Sequence, residues 1–241
     1  MQDSQSGAVA GRRAGGFVLG IDTCGPTGSV ALGRFSGPLV EMVGQTELEG
    51  RSYSATLVAA IAELLAQART SVGLLDAIVV VNGPGSFTGV RVGLSAAKGL
   101  AEPARIPVVA VSRLAVLAWK TGLLSAALDA HRHEVFLRVA GTENQARELL
   151  AGASDLVGIA PPQKVAVCDE AAAELLGAAW PGAELVRVVA PTAADSLQLA
   201  APRIRAGDFD DVVRLDGHYL RRSDAEIFGE PVAAAARRHE S

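Results

Sequence analysis

Asp76-Ala77-Ile78-Val79-Val80-Val81-Asn82-Gly83-Pro84-Gly85-Ser86-Phe87-Thr88-Gly89-Val90-Arg91-Val92-Gly93-Leu94-Ser95-Ala96-Ala97-Lys98-Gly99-Leu100-Ala101 is the stretch that decides the fold. Ile78 to Val81 is an apolar, β-branched run of the length of one buried strand. Gly83 to Gly89 is dense in turn residues. Beyond it Val90, Leu94, Ala97 and Ala101 share one helical face. A strand, a glycine-rich turn and a helix N-terminus present backbone N–H groups and the positive end of a helix dipole to whatever lies in front. The stretch is not a nucleotide phosphate loop of the usual kind. Val90 and Arg91 follow Gly89 where Lys-Ser/Thr is required, and the nearest lysine is Lys98, more than two turns on. The dinucleotide pattern G-x-G-x-x-G is missed by one residue. Two readings stay open: an anion site, or glycines that let helix and sheet approach closely.

Outward from this stretch, the chain alternates strand and helix signals. Phe17 to Asp22, Ser29 to Gly33 and Leu39 to Gln45 read as antiparallel strands, punctuated by Gly25-Pro26-Thr27-Gly28 and Ser36-Gly37-Pro38. Ser52 to Arg69 reads as a helix, with Leu57, Val58, Ile61, Leu64, Leu65 and Ala68 at helical spacing. After the central stretch, Ile106 to Val111 reads as a strand parallel to Ala77–Asn82, joined by a right-handed crossover. The first half is thus βββαβαβ. A helix is expected to about Leu123, then a hairpin of Ser125–Ala130 and Val135–Val139 around Asp129 to Glu134. Strands follow at Lys164–Cys168 and Leu185–Val189, with a helix at 169–177 between them. Thr192–Ala206 is helical, kinked or shortened by Pro202. Val212–Leu220 reads as extended, and Ala233–Ser241 as a helical or frayed tail. Residues 1–15 are polar, small and glycine-rich and read as a disordered tail.

Composition narrows the class. The 241 residues are 49% hydrophobic, enough for a real core, and suit one large domain or two small lobes. The net charge of −4 gives no sign of a nucleic-acid-binding surface, so an RNA contact needs a local basic patch or a partner. Cys24 and Cys168 form neither a metal spacing nor a disulfide framework, which fits a reducing cytosol. Four histidines leave little material for a zinc site. No apolar run reaches membrane-spanning length, and Arg12-Arg13 lacks a following signal-type core.

G-I-D-T at Gly20–Thr23, V-N-G-P-G-S-F-T-G-V-R-V-G-L-S-A-A-K-G-L-A from Val81, I-P-V-V-A-V-S from Ile106, A-L-D-A-H-R-H-E-V-F from Ala127 and Y-L-R-R-S-D-A-E-I from Tyr219 occur in that order. Together they resemble the TsaB (YeaZ) family over about residues 17–228, and the G-P-G-S-F-T-G-V-R block is the specific part. The resemblance implies an α/β, actin-like (ASKHA, ribonuclease H-like) fold of two lobes, with mixed sheets flanked by helices. The first lobe is expected over 16–111 and the second over 112–228, with its final segment packing back on the first, before a flexible tail at 229–241. The resemblance also implies a cytoplasmic, noncatalytic subunit that helps make threonylcarbamoyladenosine (t6A) at position 37 of tRNA. Its implied partners are a TsaD-type paralogue that carries the metal and the chemistry, a TsaE-type ATPase, and a second copy of itself when alone. tRNA is met only through the complex. No cofactor is expected, although weak ATP or ADP binding in the complex is compatible with the family.

The residues can be weighed against that expectation. A TsaD-type protein carries H-x-x-x-H after the strand corresponding to Ile106–Val111, and two histidines at i and i+4 can grip one metal. Here Val111-Ser112-Arg113-Leu114-Ala115-Val116-Leu117-Ala118 offers no histidine, cysteine or carboxylate. Asp22, Thr23, Gly85, Ser86, Thr88 and Asp129 are the candidates for a nucleotide or anion cleft. Alternatively, Asp22 and Asp129 cap their turns through nearby backbone N–H groups. His131 and His133 depart from the arginine and small residue common in the family's hairpin. His218 reads as structural. Arg221 and Arg222 either pair with acidic groups of the second lobe, contact a partner or are solvated. A competing class is an independent hydrolase, peptidase-like or ATPase. Ser86 lies on a strand-to-helix turn, but a nucleophile elbow needs glycines where Pro84 and Thr88 stand. Finally, Gly89, Gly93 and Ala97 form a small-residue stripe. With Val90, Leu57 and Ile61 it is expected to form the partner interface, the alternative being packing against the chain's own sheet.

Overall fold

A computed structural model describes residues 16–37, 39–49, 52–141 and 146–221. The tails expected at 1–15 and beyond 228, Arg222 and the helical reading of 233–241 lie outside the described residues. The first sheet is built from β1 (Phe17–Asp22), β2 (Thr27–Ser36), β3 (Leu39–Glu49), β4 (Leu75–Val81) and β5 (Val108–Val111), in the order β3-β2-β1-β4-β5. β1 is antiparallel to β2 and parallel to β4, and β4 is parallel to β5. The central strands are buried on both faces, which is why Ile78 to Val81 reads as an unbroken apolar run.

The second sheet repeats this plan. It comprises β6 (Ala126–Asp129), β7 (Glu134–Ala140), β8 (Ala146–Gly152), β9 (Lys164–Val167) and β10 (Glu184–Arg187), in the order β10-β9-β6-β7-β8. In each sheet the first strand is central, a hairpin flanks it on one side and two parallel strands on the other. The six α-helices among the described residues are α1 (Tyr53–Gln67), α2 (Phe87–Ala104), α3 (Arg113–Thr121), α4 (Ala153–Val157), α5 (Glu170–Ala179) and α6 (Ala193–Ala206).

Alternation along β1 shows how the first sheet is covered. Gly20 faces α6: a Cβ there would stand 2.8 Å from the Ala193 carbonyl oxygen and 3.0 Å from Leu197. Ile21, one residue on, points to the opposite face and meets α2. α6 contacts every strand of the first sheet, although it follows the second sheet in sequence. Conversely α3, which follows the first sheet, packs on β6, β7 and β9 of the second. The two helices touch, and Lys120 Nζ of α3 lies 2.8 Å from Asp195 Oδ2 of α6. The first lobe therefore comprises 16–111 together with the α6 stretch, and the second lobe is nested between them.

One expectation needs correction. Val212–Leu220 is irregular, with only the neighbouring Asp210 bridging to Val108. Asp211 turns the chain instead, accepting the Val213 N–H and, through its carbonyl, the Leu215 N–H. β8 and α4 carry no strand or helix signal of their own and were not anticipated. The helix expected over Thr192–Ala206 is present as α6; it is not shortened at Pro202, which sits on its exposed face, and ends at the left-handed Gly207.

Candidate functional site

The loop from β4 to α2 meets the end of β1 at the boundary between the lobes. Gly85, at φ +159°, brings the backbone so close that a Cβ would stand 2.2 Å from the Cys24 carbonyl oxygen. Ser86 N–H donates to that carbonyl, and Ser86 Oγ caps α2 by accepting the Gly89 N–H at 3.3 Å. Thr23 Oγ1 donates to the Gly89 carbonyl at 2.7 Å.

This junction settles the small-residue stripe. A Cβ on Gly89 would lie 2.0 Å from the Thr23 carbonyl oxygen, and one on Gly93 would lie 2.4 Å from Thr23 Oγ1. Gly89, Val90, Gly93 and Ala97 are buried against the chain's own first sheet, and Leu57 and Ile61 are buried in the same core. The stripe is a close approach, as its spacing implies, but the approaching group is Thr23, just beyond β1. These six residues are buried and do not form an outer surface.

Asp22 is buried at the end of β1. Its Oδ1 accepts the Cys24 N–H at 2.9 Å, closing a turn, and its Oδ2 lies 3.5 Å from Arg113 Nε. Arg113 opens α3. Its backbone N–H donates to the Gly83 carbonyl at 2.7 Å, and its guanidinium tucks against Gly25, where a Cβ would come within 2.4 Å. Only 6% of Arg113 is exposed, and its Nε makes no hydrogen bond. Burial disfavours the charged guanidinium, but the Asp22 carboxylate, with smaller contributions from Cys24 and Cys168, outweighs it and holds the Arg113 pKa above its usual value. The same burial, followed by the Asp22 charge, pushes the Cys24 thiol well up and the Tyr53 phenol to about 12. The Tyr53 hydroxyl donates to the Gly25 carbonyl at 2.8 Å.

Between the lobes lies a cavity of about 980 Å³. Gly85, Ser86 and Asp129 line it; Asp22, Thr23 and Thr88 do not. Asp22 and Thr23 are sealed in the wall, and Thr88 faces solvent on α2. Arg113, Cys24 and Tyr219 complete part of the lining. Asp129 accepts the His131 N–H at 2.7 Å and pairs with His131 Nδ1 at 2.9 Å. Both candidate carboxylates thus cap turns two residues on. His131, Arg132 and His133 all adopt left-handed backbone (φ 59°, 57° and 58°). Arg221 binds the Ala130 carbonyl and Glu134 of the second lobe. No histidine hydrogen-bonds Ser86 among the described residues.

Two contributors escape sequence reasoning. Arg113 leaves a faint signal, a lone arginine inside V-S-R-L-A-V-L. Glu148 leaves none, because its strand is not legible. It accepts from Ser112 Oγ and Arg138 Nη1, each at 2.6 Å, and meets His218 Nε2 at 2.8 Å. Burial disfavours its charge, yet these three hydrogen bonds together hold its pKa below the usual value.

The residues at the start of α3 do not fit a metal. Arg113 has no lone pair to offer and already neutralises Asp22. Among the described residues no group of three or more His, Cys, Asp or Glu could hold a metal ion.

The family model described as TsaD: tRNA N6-adenosine threonylcarbamoyltransferase matches residues 46–191, more than half of the chain. The tRNA threonylcarbamoyladenosine biosynthesis protein TsaB of Haemophilus influenzae is 37% identical over 125 residues, 49% of this chain and 51% of that protein. Its Bacillus subtilis namesake is 38% identical over 123 residues, 49% and 52% of the two chains. The chain spans about half the length of the curated relatives it matches. The solved structure of YeaZ from Pseudomonas aeruginosa superposes with a TM-score of 0.66 at 25% identity, covering 85% of this chain and 100% of that one. The shared architecture is the actin-like, two-sheet α/β fold. The chain therefore belongs to the family that the threonylcarbamoyltransferase model describes, and within it to the TsaB (YeaZ) group.

Proposed function

We propose that the chain is a noncatalytic partner subunit that binds a TsaD-type paralogue and activates it for threonylcarbamoyl transfer to adenosine 37 of tRNA. The observation that carries this reading is Arg113. Where the catalytic paralogue is expected to bind metal, this chain buries a guanidinium against Asp22. The curated relatives named for threonylcarbamoyladenosine biosynthesis support the pathway. The TsaD-type protein, a TsaE-type ATPase and a second copy of this chain are the proposed partners, and tRNA is reached through the complex. The surface offered is the outward face of α1, where Val58 is 65% exposed, rather than the buried small-residue stripe of α2. Among the described residues no helix is long and apolar enough to cross a membrane.

The test is reconstitution with the TsaD-type and TsaE-type proteins of the same organism. Transfer to tRNA should require all three, and this chain should co-purify with the TsaD-type protein. Equal transfer without this chain, or transfer by this chain alone, refutes the reading. The isolated chain should also leave ATP intact. Hydrolysis above a buffer blank that Asp22→Asn abolishes would restore the ATPase alternative, and Ser86 labelling by a fluorophosphonate would restore the hydrolase.

A further inference from the structure

Beyond α6 the chain crosses the first lobe, buries Leu215, and continues through Asp216–Arg221 without regular structure. His218, Tyr219, Leu220 and Arg221 form one side of the interlobe cavity. The first lobe holds this segment partly by backbone: His218 N–H donates to the Asn82 carbonyl at 2.7 Å, and Asn82 Nδ2 reaches the Asp216 carbonyl at 3.3 Å. The Tyr219 ring rests 5.0 Å from that of Phe87. The second lobe holds it by side chains, through His218 on Glu148 and Arg221 on Ala130 and Glu134.

Glu148 is a fixed anchor, already bonded to Ser112 and Arg138 and only 8% exposed in its side chain. The order serine, carboxylate, imidazole rules out a nucleophile role here. The serine proton meets the carboxylate and has no imidazole to receive it. What the cluster does is join three pieces of chain across the lobe boundary: Ser112 at the crossing into α3, Glu148 on β8, and His218 on the returning segment. A partly exposed, irregular segment with few backbone bonds is the first part of such a structure to open.

We propose that Asp216–Arg221 is a releasable strap over the interlobe cavity, and that the His218–Glu148 contact is its latch. The strap opens and closes one side of the cavity without unfolding either lobe. This does not depend on the partner-subunit reading, because every contact it uses lies within one chain.

The His218 N–H is bonded to the Asn82 carbonyl, so its hydrogen exchange reports the strap leaving the first lobe. The full chain is transferred to deuterated water, and the peptide covering Asp216–Arg221 is followed by mass. His218→Ala should accelerate labelling roughly tenfold, the worth of one such hydrogen bond. Arg221→Ala, which cuts the other tether, should accelerate it too. The rates should be insensitive to about 1 M urea, because a local opening exposes little surface. Unchanged rates in both variants would overturn the proposal. So would labelling that climbs with urea as steeply as global unfolding, since the strap would then open only with the whole chain.

Discussion

Replacing Arg113 by Met removes a cation but keeps the side-chain volume near α3. It leaves the Asp22 carboxylate 1% exposed, with one remaining hydrogen bond from Cys24 N–H. At 3.5 Å and the effective dielectric of about 20 that suits protein interiors, the lost attraction is about 5 kcal/mol. Breaking one side of a buried ion pair costs about 3–5 kcal/mol in general, because the surviving charge is uncompensated. Arg113→Met should therefore lower stability by about 3–5 kcal/mol. At about 2–4 °C per kcal/mol for a chain of this size, that lowers Tm by roughly 6–20 °C. The double variant Asp22→Asn, Arg113→Met removes both charges and should recover most of the loss. Urea unfolding followed by far-UV circular dichroism reads both lobes, and the fluorescence of Trp119 and Trp180 reads the second. A loss under about 1 kcal/mol in the single variant, or a double variant no more stable than the single, would refute the ion pair as the anchor of this junction.

The remaining predictions concern the stripe, the acid limb and the hairpin. Gly89→Ala should destabilise by about 1–3 kcal/mol or more, because its Cβ would meet the Thr23 carbonyl at 2.0 Å. Gly99→Ala, on the same helix with open space around it, should stabilise by up to about 1 kcal/mol, and thermal melts of the two compare them directly. The Glu148 pKa is lowered in the folded chain, so its contribution to stability is present above the ordinary carboxylate value of 4.5. That contribution is lost as pH falls through the lower folded value. Between about pH 5 and 3 the parent should thus lose stability more steeply than Glu148→Gln in urea titrations at each pH. His133→Gly should raise Tm by a few degrees, since a non-glycine residue in the left-handed region costs about 1–2 kcal/mol.

What the sequence discloses here follows from what is local. Ile78 to Val81 and the helix after Gly89 can be read because burial on both sheet faces and helical spacing leave periodic marks within one element. The four-residue stripe correctly signals a close backbone approach. It is silent on whose backbone approaches, because Thr23, just beyond β1, lies far away in sequence. Asp22 and Asp129 are ambiguous in sequence for a related reason. Each makes the short turn bond that any aspartate can make, and only the fold adds Arg113 to one and His131 to the other. β8 is hidden because Ala146-Arg147-Glu148-Leu149-Leu150 is composed of good helix formers, and pairing with β7 overrides that preference. With β8 unread, Glu148 and the cluster around it stay invisible.

The exchange of α3 and α6 between the lobes has a consequence for how the nascent chain matures. When Val111 leaves the ribosome, all five strands of the first sheet have been synthesised, yet the face around Val18 and Gly20 still waits for a helix that ends at Ala206. The helix made next, α3, serves the other sheet. The first half of the chain therefore carries an uncovered apolar surface until α6 has been made, a state that invites chaperone binding or aggregation. Closing it requires contacts between residues far apart in sequence, and such contacts form slowly. A chain truncated before residue 193 therefore holds every strand of the second sheet and the α3 helix that packs on it, yet still presents a first sheet without its α6 cover.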